Sequence, residues 1–96
     1  MRNFKELRIW QKCVDIAVRT FQLTDTFTKE DKYGITQQLN RSGVSIPSNI
    51  AENSSRKSEK DYARFLEISI GSSFELETQL IISEKLSKGD QTLLQI

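Results

Sequence analysis

The chain has no histidine, one cysteine, one proline and four glycines among its 96 residues. Each shortage closes off a class of fold or function. Without histidine, the Glu-x-x-His pairs of di-iron bundles cannot form, and neither Ser-His-Asp nor Cys-His catalytic groups can be assembled. Cys13 alone cannot make an internal disulfide or a zinc site built on His and Cys, and a single thiol fits a reducing compartment. No glycine-rich phosphate loop is present. So few glycines and prolines leave few turn signals, which disfavours an all-β fold. No run of about 18 apolar residues provides a membrane span. Met1 to Glu6 lacks the apolar region of a signal peptide. The expectation is a soluble, cytoplasmic, single-domain protein over residues 1–96, non-enzymatic, with no cofactor and no metal.

What is present is helical. Leu7, Trp10, Val14, Ala17 and Phe21 follow 3-4-3-4 spacing in a first helix from about Lys5 to Leu23, and Ile9, Cys13 and Ile16 form a second apolar row. The apolar arc is wider than a helix packed on one side needs. Helix one is therefore expected to touch two neighbours. Thr28 and Asp31 read as a capping box opening a second helix to Asn53, with Ile35, Leu39, Ser42, Ile46 and Ile50 inward. Ser58 and Asp61 read as a second box opening a third helix to about Leu86. Its seam is Tyr62, Leu66, Ser69, Ser73, Leu76 and Leu80. Gly89 suits a left-handed helix end, and Asp90 caps a short fourth segment, Gln91 to Ile96. Three long helices and a stub leave a groove that a truncated fourth helix or another subunit would fill.

The lone proline, Pro47, falls inside the second helix. Proline there removes one backbone hydrogen bond and presses on the carbonyl four residues back, at a cost of roughly 3 kcal/mol. Gly43 occupies that earlier position, and Ser42, Ser45 and Ser48 offer hydroxyls to the freed groups.

Net charge is only +1, but its distribution is uneven. Residues 1–29 hold six basic and three acidic side chains, whereas residues 58–96 hold four and seven. The low hydrophobic fraction, 36%, adds to the expectation of self-association. Arg41, Arg56, Lys57, Lys60 and Arg64 are candidates for a nucleic-acid surface, since a phosphate backbone needs several cations on one face. Glu59 and Asp61 interleave with them, as on an ordinary solvated face. Trp10 reads as a core anchor in preference to a base-stacking platform, and Cys13 as a buried thiol. Asn49, Glu52 and Arg41 read as a polar network fixing the second helix or a subunit register.

The run Ser45 to Glu52, together with Trp10-Gln11-Lys12, Tyr33-Gly34, Arg41, Gly71-Ser72 and Glu75 to Leu80, carries a resemblance. The chain resembles the bacterial four-helix-bundle proteins named for 23S ribosomal RNA intervening sequences. Gly43, Ser45, Pro47, Asn49, Glu52 and Trp10 are the signature positions. Asn53 and Thr28 depart from the family pattern, which usually has glycine and proline there. The resemblance implies an all-α, up-down antiparallel bundle that forms a ring, often a pentamer, and has no established catalytic activity. It also implies kinship with accessory proteins of diversity-generating retroelements, which bind a reverse transcriptase and nucleic acid. The expected function is an oligomeric scaffold contacting RNA or DNA, or a nucleic-acid enzyme, through a basic surface. The alternative is a protein-binding or structural assembly module with no nucleic-acid contact.

Overall fold

A computed structural model of the chain describes residues 3–54 and 58–94. Three α-helices, α1 (Arg8–Thr24), α2 (Ile35–Ser54) and α3 (Glu59–Lys85), account for most of them. Short 3-10 turns precede α1 and α2 and follow α3, and no strand occurs among the described residues. The longest dimension is 43 Å, close to the length of about 40 Å that 27 residues at 1.5 Å rise give α3.

The helix ends depart from expectation in instructive ways. Phe4–Glu6 forms a separate 3-10 turn, and extended Leu7 opens α1 without a side-chain cap. The Thr28 box does not cap a helix. Its hydroxyl donates to Asp31 Oδ2 at 3.2 Å. Only a 3-10 turn, Lys29–Asp31, follows Thr28, and α2 starts at Ile35. At α3 the expected cap forms, with Ser58 Oγ accepting from the Asp61 amide at 3.2 Å. At the other end Ser87, not a glycine, takes the left-handed position, with φ 53°. The Lys88 amide reaches back to the Ser83 carbonyl and the Ser87 amide to Glu84, the paired bonds of a Schellman end. Gly89 is also left-handed, with φ 64°. The segment Gln91–Leu94 is a 3-10 turn rather than an α-helix. Asp90 caps it by accepting from the Thr92 amide and hydroxyl, and those two bonds hold its carboxyl below the usual range.

Both α1 and α3 pack on α2 and do not approach each other closely. The core where they converge is small: Cys13, Leu39, Ile46 and Leu76 are buried, with Ile16, Phe27, Ile35, Ile50 and Leu80 packed against them. The inward stripe of α2 is therefore as its spacing implies. The face of α1 is not. Cys13, Ala17, Thr20 and Thr24 point inward, while Phe21 and Ile9 are exposed. Trp10 is half-buried at the edge, where its ring meets Phe4 edge-on at 5.3 Å. On α3 the seam positions Leu66 and Ser73 are exposed, and Gln79 and Ser83 are buried instead.

α2 runs continuously through Pro47. The neighbouring serines do not serve the proline turn as expected. Ser45 Oγ pairs with Ser72 Oγ at 2.8 Å, and the Ser42 hydroxyl lies within bonding distance of Glu75 and Gln79. The hydroxyl that meets the helix beside Pro47 comes from α3, where Ser69 donates to the Ile46 carbonyl at 3.0 Å. At Gly43 α1 and α2 lie side by side, and a Cβ there would make ordinary contact with the Thr20 side chain at 3.4 Å.

Candidate nucleic-acid interface

Of the five basic candidates, Arg56 and Lys57 lie outside the described residues. Lys60 and Arg64 occupy the first two turns of α3, four residues apart and hence on one face, and both are exposed. Arg41 is exposed on α2. None of these three forms an ion pair among the described residues, where the salt bridge is Lys88 to Asp31 at 2.9 Å. An exposed cation without a carboxylate partner keeps its full attraction for phosphate.

The structure does not bring all three together. α2 and α3 run antiparallel, with Ser42 beside Gln79 and Ile46 beside Ser69. That register sets Arg64 level with the end of α2, about a dozen residues or roughly 18 Å beyond Arg41. Lys60 and Arg64 form one cationic spot, and Arg41 belongs to another.

Arg41 belongs to an open groove of about 860 Å³ on the outer side of α1 and α2. Phe21, Lys32, Tyr33, Thr36 and Gln37 share its lining. Tyr33 is 82% exposed, more than any other large apolar side chain described. The Lys32 ammonium sits 5.3 Å from its ring centroid. Tyr33 falls inside the expected second helix, and beyond its part in the family resemblance nothing in its spacing marks it for a site. Only the 3-10 turn and the late start of α2 set it out into solvent.

The Asn49 network is local. Its amide donates to the Ser45 carbonyl at 2.7 Å and to Ser45 Oγ at 3.0 Å, and so links through Ser45 to Ser72. This ties α2 to α3, with Arg41 outside the arrangement. Glu52 is exposed. Glu75 and Glu77 diverge as their spacing implies: Glu75 accepts from Gln79 at 3.2 Å, and Glu77 lines the groove between α1 and α3.

That second groove is of opposite character. Ile16, Ile46, Leu76, Leu80 and Ile81 form its floor and walls, with Glu77 and Glu84 at its rim. It continues past Cys13 toward Ile50, Leu66 and Ile70. Burial pushes the Cys13 thiol above its ordinary pKa, so little nucleophilic thiolate exists at neutral pH. No group of three or more potential metal ligands occurs among the described residues, and no described helix is long and apolar enough to cross a membrane.

No curated protein matches the sequence. Residues 5–95, nearly the whole chain, match the family described as 23S rRNA-intervening sequence protein. With the helices, the Pro47 segment and the α2–α3 seam all inside that span, the chain belongs to the 23S rRNA-intervening sequence protein family.

Proposed function

We propose that the chain is a non-enzymatic scaffold that self-associates and engages RNA or DNA, or an enzyme acting on them, through its basic surface. The observation that carries this reading is the set of exposed cations, Arg41, Lys60 and Arg64, which have no acidic partner among the described residues. Repetition of the chain around a ring, a pentamer by the family resemblance, would multiply each spot into a band of positive charge. The apolar groove between α1 and α3 supports the assembly half of the proposal, because adjacent copies would bury it. The same groove favours the second reading, a protein-binding or structural module with no nucleic-acid contact.

Binding of a labelled single-stranded RNA, followed by fluorescence anisotropy over a salt series, separates the two. Log affinity should fall linearly with log salt, by about 0.7 for each phosphate neutralised. Lys60→Glu with Arg64→Glu should abolish binding and leave the helical circular dichroism unchanged, since both side chains are exposed. An unaltered chain that binds no RNA even at low salt would leave protein partners alone.

A further inference from the structure

We propose that the outer groove of α1 and α2 is a stacking subsite for a base of single-stranded nucleic acid, with the Tyr33 ring as platform. The subsite rests on the nucleic-acid reading above and adds to it a second place of contact, with different chemistry.

Four observations converge on it. Tyr33 is 82% exposed, and an aromatic face that gives up this much water contact on stacking is the usual means of holding an unpaired base. Lys32 lies over one face of the ring at 5.3 Å. With that face covered by the ammonium, the opposite face is free to take the base. The groove lining includes two cations, Lys32 and Arg41, and no carboxylate. Asp31, next to Lys32 in sequence, is already engaged by Lys88 at 2.9 Å. The field inside the groove therefore favours an anionic ligand, in contrast to the acidic rim between α1 and α3.

Polar groups are also in place. Gln37 brings a side-chain amide to the lining, and the Thr36 hydroxyl is without a hydrogen-bond partner. Threonine in a helix divides between two χ1 rotamers, so one rotation would offer that hydroxyl to a ligand and end its isolation. Tyr33 lies in the turn just before α2, and Arg41 is six residues, about 9 Å, along the helix from its start at Ile35. The spacing suits a strand laid along the groove, its base on Tyr33 and a phosphate further on at Arg41. An open groove admits a passing strand. A duplex, whose bases are stacked on one another, cannot present a base to the ring.

The test is anisotropy with a labelled 12-nucleotide oligouridylate at low salt. Tyr33→Ala should weaken binding about 5- to 150-fold, the range for loss of one stacked base, and Tyr33→Phe should restore it. The salt slope of Tyr33→Ala should stay as in the unaltered chain, whereas Arg41→Ala should reduce it by about 0.7. A duplex of mixed sequence should bind both Tyr33 forms equally. If Tyr33→Ala binds the oligonucleotide like the unaltered chain while Lys60→Glu with Arg64→Glu does not bind, the subsite is wrong and the basic-surface reading stands. If the unaltered chain binds no oligonucleotide, both fall. Equal competition by a polyglutamate peptide, with Tyr33→Ala indifferent, would make the groove a surface for acidic peptides and overturn the proposal.

Discussion

Leu39→Ala should lower the free energy of unfolding by about 2–5 kcal/mol, the range for emptying a fully buried leucine site. Leu39 has no exposed surface and packs with Cys13, Ile46 and Leu76 where all three helices converge. The cost falls on a small reserve. Few apolar side chains are fully buried here, and a domain of this size is stable by about 5–15 kcal/mol in all. Thermal melting by circular dichroism should show a midpoint roughly 10–30 °C lower. The exposed Ile81→Ala should change the midpoint of the isolated chain far less. A loss below about 1 kcal/mol at Leu39 would mean that the core lies elsewhere.

Gly89→Ala should be nearly as damaging, for a different reason. Its φ of 64° lies in the left-handed region, which costs an L-residue about 1–2 kcal/mol. A Cβ built there would stand 2.5 Å from the Phe27 ring and 2.6 Å from Thr26 Oγ1. Neither neighbour is idle. Phe27 packs against the core, and Thr26 Oγ1 accepts from the Asp90 amide at 2.8 Å. Overpacking of this kind adds about 1–3 kcal/mol. The sum, about 2–5 kcal/mol, would appear in a urea denaturation midpoint. Gly71→Ala is the counterpart with the opposite sign. No atom lies within 4 Å of a Cβ at Gly71, and the residue is exposed in mid-α3. It should stabilise by up to about 1 kcal/mol through helix propensity.

The inward stripe of α2 was legible in the sequence because Ile35, Leu39, Ile46 and Ile50 repeat at helical spacing without competitors. The face of α1 was not, because its apolar arc is too wide to choose between two rows. The choice is made by Thr20 and Thr24, which a hydropathy pattern sets outside. Thr20 returns its hydroxyl to the Ile16 carbonyl at 2.7 Å, and Thr24 pairs with Asn40 at 2.9 Å. Satisfied in this way, both are buried, and Phe21 turns outward into the groove beside Tyr33.

The same limit applies to α3. Ser69 is buried as its seam spacing implies, but Gln79 and Ser83 lie off the expected seam and are buried all the same, each with a hydrogen bond to α2 or to its own helix. Polar burial depends on partners that periodicity does not show. For the candidate site, Lys60 and Arg64 were legible as i, i+4 cations. Their separation from Arg41 was not, because the antiparallel register of α2 and α3 is a tertiary fact. Exposure of Tyr33 depends likewise on where the Thr28 turn ends and α2 begins.

Light scattering of the purified chain across a salt series, repeated with single-stranded RNA, tests the proposal of a self-associating scaffold that contacts nucleic acid. The mass should be a multiple of the 11.1 kDa monomer, about fivefold for a pentamer. It should increase further with RNA at low salt and lose that increase as salt rises. A monomer mass at every concentration, unchanged by RNA, would contradict the proposal.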